Sequence, residues 1–231
     1  MHFLDLTLPS PAENLALDEA LLESAVAGEG GAVLRVWESP APFVVLGLGG
    51  RAADDVDAAA CAADGVPVLR RASGGGTVLQ GPGCLSYALV LPVAAEPALA
   101  SIAGTNTYVL TRVAAALAAF APGVAPQGTS DLAVAGRKVS GNAQRRKKAW
   151  VLFHGTLLYG FDAGRAARYL TLPPRRPAYR ADRAHADFLA NLPASAQALK
   201  AALRMAWSAH EPLAAWPQER TALLARELAA R

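Results

Sequence analysis

The sequence predicts an α+β fold built on a mixed, mainly antiparallel sheet flanked by helices. Three observations carry this. Short alternating apolar runs and longer helical-period runs follow one another without the regular strand–helix–strand alternation of a parallel sheet. Hydrophobic residues make up 53% of the 231 residues and charged residues 18%, which excludes disorder and leaves material for a large core. Two alternating runs, 131–135 and 138–143, are joined by Gly136-Arg137, a pair suited to a two-residue type II′ hairpin turn.

Residues 3–8 alternate as a first strand. Ser10, Pro11 and Glu13 then form a capping box with proline at the first helical position. The helix they start places Leu17, Leu21 and Ala25 on one face and Glu19 and Glu23 on the other, and Gly28, Gly30 and Gly31 end it. Strands are expected at 32–37 and 43–48, split by a proline turn, and a short helix at 54–63. Residues 67–70 read as a short strand before the glycines at 74–76 break regular structure. A strand over 84–91, a helix over 105–120 and a strand over 150–159 follow. Short helices near 163–170, 195–210 and 217–230 complete the chain. One catalytic domain over 1–231 is expected, with 191–231 as a helical tail.

Net charge is +3 with no run of five like charges, and the densest basic stretch is only Arg145 to Lys148, so nucleic acid is not an expected partner. No apolar run approaches the roughly 18 residues of a membrane span, and the N-terminus lacks the basic start of a signal peptide. Cys61 and Cys84 make neither a disulfide framework nor a metal-binding spacing. A soluble, cytoplasmic protein is expected, and no metal ligand set can be named.

Four segments carry chemistry. Arg70-Arg71-Ala72-Ser73-Gly74-Gly75-Gly76-Thr77-Val78-Leu79 pairs two fixed cations with glycines whose backbone N–H groups can cradle an anion. It is neither a P-loop nor a dinucleotide fingerprint, because no Gly-Lys-Ser/Thr or long helix follows. Lys138 sits past a tight turn at the start of a strand, with Ser140 and Asn142 expected on its face. Two readings stand there, an anion-binding lysine and a solvated hairpin lysine. His154 lies on an apolar strand face, where a satisfied core histidine is the simpler reading. Pro173 to Arg180, with Arg183, His185 and Asp187, reads as a polar surface crossing.

Taken in order, these segments resemble the lipoate–protein ligase A and octanoyltransferase superfamily, relatives of biotin protein ligases. The resemblance runs over residues 3–190, from Asn14-Leu15-Ala16-Leu17-Asp18-Glu19 and Leu34-Arg35-Val36-Trp37 through the glycine segment. It closes on Ser130-Asp131-Leu132, Gly136-Arg137-Lys138-Val139-Ser140-Gly141 and His154-Gly155-Thr156. It implies a ligase-type catalytic core in which Lys138 is the central catalytic lysine. Arg71, Ser73, Gly74, Gly75, Gly76, Thr77, Val78, Leu79, Asp131, Ser140, Gly141 and His154 would help hold ATP or lipoyl-AMP. Lipoate, ATP and Mg²⁺ are the implied reactants. The implied partners are lipoyl carrier domains, of a 2-oxo-acid dehydrogenase E2 or the glycine-cleavage carrier protein.

Two departures stand out. Gln80-Gly81 replaces the family's usual His-Asp, and the family's C-terminal accessory domain is not expected after residue 231. The expectation is then either a separate accessory chain that completes the enzyme or a protein that performs part of the reaction. Two other readings are an octanoyl or lipoyl transferase that acts without ATP, and a non-catalytic binder of lipoate or acyl-adenylate. The transferase needs a cysteine nucleophile, and residues 121–131 contain none.

Overall fold

The computed structural model describes residues 1–172 and 176–229. The elements in chain order are β1 (His2–Asp5), α1 (Pro11–Ala27), β2 (Val33–Trp37), β3 (Phe43–Leu46), α2 (Ala52–Asp55), α3 (Ala58–Ala63), β4 (Val68–Arg70), β5 (Val78–Gln80), β6 (Cys84–Pro92), α4 (Ile102–Leu117), β7 (Ala125–Gln127), β8 (Asp131–Val134), β9 (Arg137–Lys147), β10 (Trp150–Leu158), α5 (Ala163–Tyr169), α6 (His185–Phe188), α7 (Ala196–Ala206), β11 (Glu211–Pro212) and α8 (Gln218–Ala229).

Eight strands form one sheet in the order β11-β1-β2-β6-β10-β9-β8-β7. The β11-β1-β2 edge is parallel and the pairs from β2 to β7 are antiparallel, so the sheet is mixed and mainly antiparallel, as expected. A second, three-stranded sheet runs β4-β3-β5. Helices cover both faces of the large sheet. Val109, Leu110, Val113 and Leu117 of α4 and Leu199 and Leu203 of α7 pack on one face, against Leu34, Leu85, Leu89 and Phe153. Leu17, Leu21 and Leu22 of α1 pack on the other, against Val33, Ala88, Val90 and Leu152. Coverage on both sides explains why β6 is a near-continuous apolar run instead of an alternating one.

The capping box forms as expected. Ser10 accepts from the Glu13 backbone N–H, Glu13 accepts from the Ser10 N–H at 2.9 Å, and Gly28 closes α1 at φ 81°. The expected two-faced helix does not appear. Leu15 and Ala16 pack on Phe43, Val45 and Leu69 of the second sheet and on Ala225 and Leu228 of α8, so α1 is enclosed on most sides. Glu19 and Glu23 are not free on a solvated face. Glu19 pairs with Arg145 at 3.0 Å, and Glu23 with Lys147 at 2.6 Å and Arg220 at 2.9 Å. The same pairs account for β9 continuing through the basic stretch, past the expected end at residue 143.

The hairpin turn is shifted by one residue. Val134 pairs with Arg137, and the two loop residues are Ala135 (φ 47°) and Gly136 (φ 71°), the positive pair of a type I′ turn. The 54–63 helix is two short helices, because Val56 leaves the first turn to bridge Leu170. Of Pro173 to Arg180, residues 173–175 lie outside the described residues; Arg176, Pro177 and Arg180 line the site, so the segment is not the surface crossing expected.

Candidate active site

A cavity of about 490 Å³ opens where β9 and β10 meet the glycine loop between β4 and β5. Its walls come from four directions: Leu15 and Asp18 of α1; Arg71 and Gly75 to Val78; Lys138 and Gly141 to Ala143; and His154 to Thr156. Arg176, Pro177, Arg180 and Phe188 add a fifth. A recess of about 90 Å³ adjoins it, sharing Lys138, Gly141, Thr156 and Arg180, and walled by Leu79, Leu158, Phe161 and Leu170. Polar and apolar compartments thus meet at Lys138.

Arg71 holds the loop in shape. Its Nη2 donates to the carbonyls of Gly74 at 2.6 Å and Gly76 at 2.9 Å, and its Nε donates to Ser73 Oγ at 3.1 Å. Burial lowers its pKa to about 10, which leaves it charged at neutral pH. Arg70 does the same for the neighbouring turn, donating to the carbonyls of Gly47 at 2.9 Å and Gly50 at 2.7 Å. Both arginines were expected as anion ligands, yet most of their donors are spent on backbone. The loop needs glycine where it is tightest. Gly75 sits at φ 94°, and a Cβ on Gly47 would lie 2.0 Å from the Gly75 carbonyl oxygen.

His154 joins the loop to the core. Its Nε2 lies 2.5 Å from Ser73 Oγ, and its Nδ1 is 3.7 Å from Asp18 Oδ2. Asp18 in turn pairs at 2.6 Å with Arg35, which is fully buried and also donates to Asn14 and to the Leu6 carbonyl. Burial pushes the Asp18 carboxyl up, but the Arg35 charge and the His154 contact outweigh it and hold the pKa below the usual carboxylate value. Ser73, His154 and Asp18 stand in the order of a nucleophile, base and orienting acid. The geometry argues against that chemistry: Ser73 is only 1% exposed, and the His154–Asp18 gap exceeds a hydrogen bond. The set fastens the glycine loop to β10 and α1.

Lys138 presents its ammonium to the cavity, 2.8 Å from Asp131 Oδ1. Tyr179 donates its hydroxyl to Asp131 Oδ2 at 2.8 Å. Burial and the Asp131 charge raise the Tyr179 pKa, keeping it a donor. Of the two residues expected beside Lys138, Asn142 lines the same cavity and Ser140 does not. Leu132 pairs with Ser140 and Ala133 with Lys138, so Val139 is an extra residue, a bulge that reverses the side-chain alternation. Gly141, not Ser140, therefore lies under the lysine: a Cβ there would be 2.7 Å from Lys138 Nζ. Gly141→Ala should displace a flexible side-chain end, so we expect a melting temperature within a few degrees of wild type and at least a tenfold loss of acyl transfer, read by mass spectrometry of an acceptor domain. Ser140 is fully buried, where its Oγ accepts from Asn142 Nδ2 at 3.0 Å. Asn142 passes over Gly155, where a Cβ would strike it at 1.8 Å, to accept the Tyr87 hydroxyl at 2.6 Å.

Of the residues singled out from sequence, Arg71, Gly75, Gly76, Thr77, Val78, Asp131, Lys138, Gly141 and His154 line the main cavity, and Leu79 lines the recess. Ser73, Gly74 and Ser140 do not line either: Ser73 and Ser140 are buried, and Gly74 is exposed. Gln80 also lines the cavity, and its Oε1 is buried without a partner. Gly81 follows because a Cβ there would be 2.9 Å from Pro42 Cα. Sequence reasoning gave no role to Asp18, Asn142, Tyr179 or Arg180. Asp18 stood in the first segment of the family resemblance without a role, and irregular chain carried no signal for Arg180. Among the described residues, no three His, Cys, Asp or Glu side chains cluster as a metal site.

The architecture is that of the lipoate–protein ligases. The structure of a lipoate–protein ligase A bound with ATP superposes over 100% of this chain and 94% of its own, with a TM-score of 0.80 at 22% identity. A bi-partite lipoate protein ligase from Thermoplasma acidophilum, described with its E2 lipoyl domain, covers 100% of this chain and 92% of its own, also at a TM-score of 0.80 and 22% identity. The chain belongs to the lipoyl protein ligase A/B catalytic domain family, whose model matches residues 10–205. Among curated relatives, "Octanoyltransferase LipM" of Carboxydothermus hydrogenoformans is 30% identical over 73% of this chain and 68% of its own. "Probable lipoate-protein ligase A" of Mycoplasma pneumoniae is 33% identical over 70% and 46%. The chain thus spans about half to two thirds of the length of these relatives. No helix among the described residues is long and apolar enough to cross a membrane.

Proposed function

We propose that the chain is the catalytic core of an ATP-dependent lipoate–protein ligase. The observation that carries this is a cavity walled by cations while both thiols lie elsewhere. Cys61 and Cys84 are 3% and 1% exposed, and neither lines the cavity or the recess. Burial raises both thiol pKa values, that of Cys84 to about 12. A thiol held this far above its ordinary value and enclosed away from the cavity is a poor acyl acceptor.

In the first step the lipoate carboxylate oxygen bonds to the α-phosphorus of ATP, the bond to the bridging oxygen breaks, and pyrophosphate leaves. In the second the ε-amine of a lipoyl-domain lysine attacks the acyl carbon, the bond to the phosphate oxygen breaks, and AMP leaves as the amine loses its proton. Negative charge concentrates on phosphoryl and carbonyl oxygens in both, so positioned cations and N–H donors lower both barriers. Lys138 stands where the two compartments meet, fixed by Asp131. Magnesium would enter with the nucleotide substrate and would take one or two carboxylates alongside phosphate oxygens; Asp131 of the cavity wall and Asp55 of the recess wall would be available to it. The acyl chain lies along the apolar walls, and a lipoyl carrier domain is the acceptor.

The second reading, an ATP-independent octanoyltransferase, is favoured by the relative of that name. One experiment separates them. Purified protein is incubated with apo lipoyl domain, once with lipoate and MgATP and once with octanoyl carrier protein alone. Acyl mass gain only with ATP, unchanged in Cys84→Ser, is expected. Gain without ATP that Cys84→Ser abolishes would establish the transferase. No gain in either, even from synthetic lipoyl-AMP, would leave a non-catalytic binder.

A further inference from the structure

One end of the main cavity is polar in a way the reaction above does not use. Gln80, which departs from the family's usual His-Asp, and Ser86 both line it. Ser86 is 4% exposed, and its Oγ and the Gln80 Oε1 are buried without a hydrogen-bond partner. The walls around them are apolar. Gln80 lies opposite Phe43 on β3, Ser86 lies opposite Trp37 on β2, and the Trp37 and Phe43 rings stack at 6.3 Å. Neighbouring polar groups are already occupied, since Trp37 donates to Asp18 at 3.4 Å and Thr156 is bonded to the Cys84 thiol. Two orphaned polar atoms in apolar surroundings cost stability, and a purely hydrocarbon ligand leaves that cost in place.

Sheet register sets their distance from Lys138. Asn142 of β9, the strand that carries Lys138, pairs with Gly155 of β10, and Thr156 of β10 pairs with Ser86 of β6. Two strand spacings put Ser86 roughly 10 Å from β9. A medium-chain acid with its carboxylate at Lys138 therefore brings its far end to Ser86 and Gln80. The amide oxygen only accepts, whereas the hydroxyl donates and accepts. A terminal methyl satisfies neither. The closed dithiolane of lipoate offers sulfur acceptors alone, which leaves Gln80 unmet. A thiol or hydroxyl donates once and accepts once, and so meets both. We propose that Gln80 and Ser86 are specificity-determining residues that read the distal end of the acyl chain. They favour an acid bearing a thiol or hydroxyl there, the dithiol form of lipoate being the sulfur case. This rests on the proposed acyl site at Lys138 and deepens it by naming the far end of the substrate.

The test uses octanoate and 8-hydroxyoctanoate, which differ by one hydroxyl, together with lipoate and dihydrolipoate. Binding of each acid to the full chain is measured by calorimetry for wild type, Gln80→Leu, Ser86→Ala and the double variant. Wild type is expected to bind 8-hydroxyoctanoate about 5- to 20-fold tighter than octanoate, and dihydrolipoate about 2- to 5-fold tighter than lipoate, because S–H is a weak donor. Each single variant should shrink the preference. The double variant should reverse it, since a hydroxyl buried without a partner carries its full desolvation cost. Octanoate binding as tightly as 8-hydroxyoctanoate in wild type overturns the inference, as does a preference that survives in the folded double variant. Equal weakening of all four acids, with a lowered melting temperature, would mean a packing role and also overturns it. If the acids are discriminated as predicted yet drive no ATP–pyrophosphate exchange, the ligase reading fails and the polar end of the acyl site stands.

Discussion

Lys138→Ala is expected to lower both adenylation and acyl transfer by about 10²- to 10³-fold, the cost typical of removing one preorganised group that stabilises developing negative charge. The fold should survive. The lysine side chain is partly exposed, and Asp131 keeps the Tyr179 hydroxyl as a donor. The melting temperature should therefore stay within a few degrees of wild type, while mass spectrometry of the acceptor domain reports almost no product. Both half-reactions should suffer: the lysine ammonium lies at the junction of cavity and recess, where phosphate and acyl carbon have to meet. Wild-type rates in this variant would remove Lys138 from the site.

The largest effect on stability is expected from Asp18→Asn. It strands the fully buried Arg35 guanidinium, bonded to carbonyls and Asn14 but without its counter-charge. Breaking such a pair from one side costs about 3–5 kcal/mol. At roughly 2–4 °C per kcal/mol for a chain of this length, the melting temperature should fall by about 6–20 °C. The Asp18 pKa is depressed in the folded protein, so its stabilisation is full above the ordinary carboxylate value and is lost as pH falls through the folded one. Denaturant titrations at pH 7 and pH 3 should show wild type losing more stability on acidification than the variant. Equal losses would mean that the Arg35–Asp18 pair contributes nothing to acid sensitivity. Exchange activity should fall too, since the same carboxylate faces His154, which holds Ser73 of the glycine loop.

Much of this was legible in the residues. Ser10, Pro11 and Glu13 announced α1, and the ordered glycine and lysine segments announced the cavity, because capping and turns depend on neighbours in sequence. Several features depended instead on partners far along the chain. The basic end of β9 is a strand because Glu19 and Glu23 on α1 meet its charges. β5 follows the glycines directly and is only three residues long, pairing with β3 across more than thirty residues. The bulge at Val139 has no local signature, yet it decides that Gly141 and not Ser140 underlies the lysine. Arg180 sits in an irregular crossing without periodicity, and only burial distinguishes it from surface arginines nearby.

The central claim is that a lysine-centred cavity activates the acyl group with a nucleotide and not with a thiol. It is tested most directly by incubating the Cys61→Ser/Cys84→Ser protein with apo lipoyl domain, lipoate and MgATP, and following acceptor mass alongside AMP release. Lipoylated domain and AMP in equal amounts, at the wild-type rate, are predicted. Loss of transfer in the cysteine-free protein, with wild type transferring octanoyl groups in the absence of ATP, would contradict it.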